Sequence, residues 1–528
     1  MSKNDFSRRK FIKAGAYATL AAGVPVSLAG CGGSNSGGSS ATGKRAIVIG
    51  SGFAGAVTAL RLGQAGISTA LIERGQRWVY SGPDSFPTLA DLGMGDKRTT
   101  WMGEVDAASG QIPTEKYTGM LERISGDNVD AVCGAGLGGG SLVYGGVLLQ
   151  PKQEYFEMVL PNISYSDMAT KYYPRVLDYV SGGPIPDDIL AYPQYSAKRA
   201  FIADATAGGL EIAKSHVGFN WDVIREELTG GQPAAASIGD YVFSCNSGAK
   251  NTLDRNYIAA AESTGKVQVY TLHNVVTISR LGLRGPYEVI CDRLNEDGLV
   301  VGSHRFVCEY VFLAAGSLNT TKLLLKVKAL GDLKGINDAV GQNWGANGDE
   351  LMAVMGVTSD LGPVQGGPPS IAAWDNNNTV KPVGFMHSPS NNFIGMPPTQ
   401  LQMAMTVSDQ LGSISYNANT DSAFINWDLA NDTNARQARL EALQKIATNS
   451  GGMILQDTDM GRPVMWHPVG GAIMGEATDP NTGELYGQPG LFVMDGALMP
   501  GSTAMANPSL TIAANAERLM ENILPLLV

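Results

Sequence analysis

One histidine and one run of glycines carry most of the chemistry legible in this chain. His467 stands in Trp466-His467-Pro468-Val469-Gly470-Gly471, a loop stiffened by proline and tightened by glycine. An imidazole with an ordinary pKa of about 6.5 can accept or share a hydroxyl proton at neutral pH. The other histidines, His216, His273, His304 and His387, lack such flanks. A histidine by itself is more often a structural hydrogen-bonder than a catalyst, so His467 needs a second chemistry beside it. Gly50-Ser51-Gly52-Phe53-Ala54-Gly55 offers one. Gly50 permits a tight turn, Gly52 lets the main chain approach a pyrophosphate, and Gly55 lets a helix pack closely on a strand. The same pattern occurs in ordinary strand–turn–helix units, so the flanking elements decide its meaning.

Those elements are present. Ala46-Ile47-Val48-Ile49 is a continuous apolar run, which predicts a buried parallel strand. Residues 56–65 carry apolar side chains at helical spacing and end at Gly66, and residues 67–72 form a second apolar run closed by Glu73. A helix opening at the glycine turn would aim free N–H groups and a positive dipole end at phosphates. Glu73 can accept hydrogen bonds from a ribose diol and disfavours a 2′-phosphate, which points to FAD or NAD and away from NADP. A second glycine-dense stretch runs from Gly134 through Gly136, Gly138, Gly139 and Gly140 to Ser141, suiting a large planar or anionic ligand against the main chain. A third, Tyr310 to Ser317, reads as another buried strand ending at Gly316. It is similar to the late strand of flavoproteins that covers the pyrophosphate, which favours FAD.

The chain resembles the glucose–methanol–choline (GMC) family of FAD oxidoreductases, and within it the bacterial cholesterol oxidases that hold FAD non-covalently. The resemblance spans most of residues 44–525. It rests on Gly134–Gly146 with Gln150-Pro151-Lys152, Tyr155-Phe156 and Leu160-Pro161, on Thr271–Val275, and on Trp344–Gly348. It continues with Trp466–Gly471, Asp495-Gly496 through Pro500-Gly501-Ser502, and Asn507-Pro508. It implies that His467 helps remove the substrate's hydroxyl proton and that Asn507 positions substrate and flavin. It also implies cofactor contacts from Gly50, Gly52, Phe53, Gly55, Glu73, Gly136, Gly139, Gly140, Ser141, Tyr144, Gly145, Gly316, Asp495, Gly496 and Asn507, and an adenine contact from the backbone of Val275. The implied reaction is oxidation of a sterol-like, bulky hydrophobic alcohol to a ketone, with O2 or another acceptor taking the electrons. The implied architecture is a Rossmann-like α/β FAD-binding domain interleaved with an α+β substrate domain on a mostly antiparallel, six-stranded sheet beside a buried cavity.

Two departures qualify the likeness. Relatives of this kind carry a glutamate shortly after Trp-Asp-Asn that shifts the steroid double bond. Here Trp374-Asp375-Asn376 is followed by residues 377–384 without an acid. Isomerisation is therefore expected to be weak or absent, and His387 is read as having no part in it. Tyr144 stands where asparagine is common, so the flavin edge or oxygen access is expected to differ. Other alcohols (sugar, choline-like or aliphatic) keep the same chemistry, and a non-catalytic lipid-binding flavolipoprotein is the alternative from another class.

The 528 residues are 44% hydrophobic and 16% charged, which excludes a disordered chain, and the net charge of -11 argues against nucleic acid as partner. Residues 1–30 hold Lys3, Arg8, Arg9, Lys10 and Lys13 against Asp5, so the body is more acidic still. Ser7-Arg8-Arg9-Lys10-Phe11 followed by a Gly/Ala-rich stretch resembles a twin-arginine signal, and Leu28-Ala29-Gly30-Cys31 resembles a lipobox with Cys31 acylated. The expectation is export by the twin-arginine machinery to a periplasmic or cell-surface site, with membrane contact through the lipid, or else secretion. Cys133, Cys245, Cys291 and Cys308 form no CxxC pair and are expected to be free, mostly buried thiols, with no metal site. The expected domains are a signal peptide at 1–30, a Gly/Ser tether at 31–43, an FAD domain at 44–150, 240–345 and 460–528, and a substrate domain at 151–239 and 346–459. Residues 357–400, with seven prolines, read as loop-like, and Met386, Met396, Met403 and Met405 suit a large apolar ligand.

Overall fold

The structure, a computed structural model, describes residues 41–282, 285–389, 397–456 and 463–527. The signal peptide, Cys31 and most of the tether lie outside these residues, as does Met396. Two sheets position everything that follows. Their strands are, in chain order, β1 (Ala46–Ile49), β2 (Thr69–Ile72), β3 (Glu211–Lys214), β4 (Val267–Tyr270), β5 (Tyr310–Leu313), β6 (Asp349–Met355), β7 (Ile371–Asp375), β8 (Val383–His387), β9 (Thr399–Met405), β10 (Met453–Gln456) and β11 (Leu491–Val493).

The first sheet is parallel throughout, in the order β11-β5-β1-β2-β4. Its apolar runs are buried along their whole length in β1 and β2, as a sheet covered on both faces requires. Helix α1 (Phe53–Gln64) connects β1 to β2 in a βαβ unit, and α2 (Ser317–Leu330) leaves the end of β5. Helix α3 (Pro508–Leu527) packs on α1, where Arg61 pairs with the fully buried carboxylate of Glu517 at 2.6 Å. Proline at the first position of α3 suits a helix start, since its missing N–H would have had no partner.

The second sheet is antiparallel, in the order β10-β6-β9-β8-β7-β3. Side chains alternate between its faces. Met352, Val354, Phe385 and Ala404 face the helices Ser196–Ala207 and Thr433–Ser450 and form one core with Phe201, Ala442 and Leu443. On the other face Leu351, Met403 and Met386 stand opposite one another across β6, β9 and β8.

Most described positions of residues 357–400 are loop or turn, but the stretch also carries β7 and β8, five-residue strands buried at every position. Strands buried on both faces show no alternation, and the surrounding Pro, Gly and Asn dominate the local pattern. Thr42–Gly43 form a short strand beside Phe306 and Val307. The four described cysteines are free thiols, Cys133 half-buried and the others buried, and burial pushes the Cys245 thiol up to about 11. Among the described residues no cluster could hold a metal ion, and no helix is long and apolar enough to cross a membrane.

Candidate active site

A cavity of about 680 Å³ opens between the carboxyl ends of the parallel strands and the apolar face of the antiparallel sheet. Ligands of open α/β sheets bind at this end of the strands. The turn after β1 supplies Gly50, Gly52 and Phe53 to its wall, and β2 ends in it at Glu73. Gly52 caps α1 with no side-chain hydrogen bond, and the first turn of α1 has no acid, so a bound anion would meet its N–H groups unopposed. Gly316 begins α2 in the same way. An added Cβ at Gly52, Gly140 or Gly316 would meet no atom within 4 Å, although all three line the cavity. Their bare backbones leave a continuous cradle that a dinucleotide fits.

Gly55 lies outside the wall, where a Cβ would come within 2.0 Å of the Gly50 carbonyl oxygen, so its smallness serves the packing of α1 on the turn. Gly136 and Ser141 also lie behind the wall. Gly136 packs under Trp78 and Leu142, and Ser141 Oγ donates to the Gly138 carbonyl at 2.8 Å and accepts from Leu253 N at 3.0 Å. Gly139, Gly140, Tyr144 and Gly145 do reach the cavity. The Glu73 carboxylate accepts from Ser51 N, Ser51 Oγ and Gly75 N at 3.1, 2.6 and 2.9 Å, so it shapes the phosphate turn as well as lining the site. Val275 lines the cavity at a bulge that leaves Val276 without a ladder partner. Asp495 joins β11 to α2, accepting from Gly316 N at 2.8 Å and Thr320 Oγ1 at 2.6 Å, and burial raises its pKa against these bonds. Gly496, next to it, also lines the wall.

Tyr144 forms part of the wall with its ring, edge-on to Phe53 at 5.4 Å, while Lys250 lies 5.3 Å from the ring centroid. Its hydroxyl is buried without a partner and sits against Gly218, where a Cβ would approach it to 2.1 Å. Burial raises the Tyr144 pKa, and it pulls the Lys250 ammonium down to about 7.

His467 and Asn507 meet in the cavity, with Asn507 Nδ2 3.3 Å from His467 Nε2. The Oδ1 atom of Asn507 is buried without a protein partner and is free to accept from a bound molecule. Behind the imidazole stands Asp349, whose Oδ2 lies 2.5 Å from His467 Nδ1. Sequence reasoning stopped one residue short of this acid, at Gly348. Its only local signal was a position at the head of a strand, directly after a glycine turn.

The segment before Asp349 is stitched to the loops that carry His467 and Asn507. Gly345 and Val469 exchange two backbone hydrogen bonds of 2.9 Å. Asn347 donates to the Ala506 carbonyl at 2.9 Å and accepts from Thr503 N at 2.7 Å. His387 is absent from this assembly. It lies on the opposite face of the sheet, stacked on Phe201 at 5.0 Å with both ring nitrogens unpartnered.

Residues 45–98 match a family described as FAD binding domain, and residues 401–516 match one described as GMC oxidoreductase. The chain is 26% identical over 543 residues to a cholesterol oxidase of Mycobacterium tuberculosis, covering 89% of each chain. It is 23% identical to a cholesterol oxidase of Acinetobacter baumannii, covering 90% of this chain and 94% of that one. Solved structures share the fold. A fungal aryl-alcohol oxidase superposes with a TM-score of 0.62 at 14% identity, covering 91% of this chain and 99% of that one. Pyridoxine 4-oxidase from Mesorbium loti superposes at 0.58 and 15%, with the same coverage. The glycine-lined turn, the histidine in the same cavity and these likenesses converge: the chain is an FAD-dependent oxidoreductase acting on CH–OH donors, with an FAD-binding segment at 45–98 and a GMC oxidoreductase segment at 401–516.

Proposed function

We propose that the alcohol oxidised is a 3β-hydroxysterol or a similarly bulky hydrophobic alcohol, converted to its ketone. The observation that carries this reading is the floor of the cavity, where Leu351, Met403 and Met386 form one apolar row next to the row headed by Asp349. Leu401, Pro369 and Pro389 extend that surface. Unbranched thioethers adapt to an irregular apolar body and leave few polar groups to satisfy.

FAD, held along Gly50, Gly52, Gly140 and Gly316, supplies the hydride acceptor when bound. His467 Nε2 takes the hydroxyl proton, and the long 3.3 Å contact from Asn507 is one that a substrate hydroxyl can replace. Asn507 Oδ1 then accepts from the bound ligand. The apolar floor excludes water from the reacting carbon.

No uncommitted carboxylate among the described residues lines the cavity to serve a double-bond shift. Among the described residues the carboxylates lining the cavity are Glu73, Glu122, Asp421 and Asp495. Each is committed: Glu73 and Asp495 to the dinucleotide turns, Glu122 to Arg74 at 2.8 Å, and Asp421 to Lys326 at 2.9 Å. The expected product is the unconjugated ketone. The names of the relatives favour O2 as acceptor. Twin-arginine export and acylation of Cys31 complete the proposal and rest on the sequence alone.

The test is anaerobic mixing of the purified, FAD-loaded protein with a 3β-hydroxysterol while the oxidised flavin's visible band is followed. Bleaching that is lost in His467→Ala, with a product lacking the conjugated enone's ultraviolet band, is the expected result. A flavin that stays oxidised with sterols but bleaches with smaller alcohols would refute the sterol assignment.

A further inference from the structure

We propose that Asp349 is a positioning residue of the oxidation, fixing His467 in the tautomer whose Nε2 can take the hydroxyl proton. The inference rests on the reading of His467 as proton acceptor. Its geometry starts from strand alternation: Asp349 and Glu350 are successive residues of β6 and point to opposite faces. Glu350 turns to the helix side, where it and Asp432 pair with the buried guanidinium of Arg439 at 3.1 and 2.8 Å. Asp349 turns to the cavity side, is 4% exposed, and has His467 as its side-chain partner.

The charged groups around Asp349 are few. On β9 it faces Met405, which is apolar. Arg439 approaches from the other face only as far as the Gly348 carbonyl, at 2.9 Å. Among the described residues no cation other than an imidazolium at His467 meets this carboxylate.

A carboxylate can only accept, so the 2.5 Å contact places a proton on His467 Nδ1. In the neutral imidazole Nε2 is then the acceptor, in agreement with the donor that Asn507 presents to it. When substrate oxidises, the O–H bond breaks and its proton passes to Nε2. FAD, when bound, would supply the acceptor for the C–H electron pair, which leaves as hydride while the carbon–oxygen double bond forms. The imidazolium so produced lies against Asp349, a charge-assisted pair in a water-poor site. The same division of labour between an imidazole and a buried acid operates in serine hydrolases on an unrelated fold.

Asp349 is not needed for the local fold, because the stitches to the catalytic loops come from Gly345 and Asn347. Asp349→Asn is therefore expected to fold and bind FAD. Its flavin reduction by alcohol should fall by about 10²- to 10⁴-fold, with substrate affinity little changed. The double variant Asp349→Asn/His467→Ala should be no slower than His467→Ala, since one residue acts through the other.

The structural readout needs no turnover. With histidines labelled by ¹⁵N, the His467 signals, assigned by their loss in His467→Ala, should show Nδ1 protonated and Nε2 bare, and Asp349→Asn should abolish that pattern. Equal reduction rates in wild type and Asp349→Asn would overturn the proposal, as would additive losses in the double variant or a wild-type His467 protonated at Nε2 alone. If no alcohol reduces the flavin in any variant, the reading of the reaction fails, while the nitrogen signals still decide the role of Asp349.

Discussion

Two glycines three residues apart along the same turn, Gly52 and Gly55, should fail in different ways when given a methyl group. Gly52 caps α1 with φ -68° and ψ -168°, a conformation open to alanine, and no atom lies within 4 Å of an added Cβ. The free protein should lose only about 0.5 kcal/mol, the difference between glycine and alanine as helix caps. The methyl group would stand where a pyrophosphate meets the N–H groups of α1. Losing one or two charge-assisted hydrogen bonds, at roughly 1.5 kcal/mol or more each, weakens FAD binding by roughly 10- to 10³-fold. Gly55 is the reverse case. Its Cβ would lie 2.0 Å from the Gly50 carbonyl oxygen and 3.0 Å from its carbon, both backbone atoms, so the turn itself must move. Overpacking of this kind costs about 1–3 kcal/mol with or without cofactor. The assay is thermal unfolding of both FAD-free variants, followed by titration with FAD read from quenching of its fluorescence. Gly52→Ala should melt near wild type and bind poorly, and Gly55→Ala should melt early. Wild-type FAD affinity in Gly52→Ala would refute the placement of the pyrophosphate on this helix.

Two further outcomes follow from buried charge and from tautomers. Arg439→Met leaves Glu350 and Asp432 buried without their cation, and loss of one partner from such a group costs about 3–5 kcal/mol, so the denaturation midpoint should drop sharply; an unchanged midpoint would contradict the ion triad. Thr42 Oγ1, His304 and His273 form a chain of 2.8 and 3.1 Å hydrogen bonds that ends on the Thr271 carbonyl at 2.7 Å, with every ring nitrogen occupied in the neutral state. Burial lowers both histidine pKa values below 6.5, so the unfolded chain binds these protons first and stability present above about 6.5 is lost as pH falls. Melting temperature should therefore decline between pH 7 and pH 5, and His304→Phe should flatten that slope; equal slopes in both proteins would sink the idea.

What the sequence discloses is local. The phosphate turn, its helix and Glu73 lie within one βαβ unit, so periodicity and residue type locate them together. Residue type does not tell which way a backbone faces. Gly136 and Ser141 sit in the same glycine-dense loop as Gly139 and Gly140, yet the first two brace the loop from behind while the others reach the cavity. Strands β7 and β8 were hidden because burial on both faces erases the alternation by which a strand is recognised.

Asp349 was hidden for a different reason, since its partner lies 118 residues away and only tertiary structure joins them. The joint also breaks local rules. Of the eight described residues other than glycine with positive φ, Asn343, Asn347, Ala504 and Met505 flank the stitching between the Asp349 segment and the loop leading to Asn507. Each such conformation costs on the order of 1–3 kcal/mol and persists only where the surroundings over-determine it. Here the surroundings are visible: Asn347 is fully buried and bonded to Thr503 and Ala506 on either side of the strained pair Ala504–Met505. Propensity would assign these positions to other conformations, so sequence reasoning fails where the fold holds three distant segments in one geometry. That concentration of strain beside His467 and Asn507 fits a site whose polar groups are set before substrate arrives, with little left to reorganise as the proton moves.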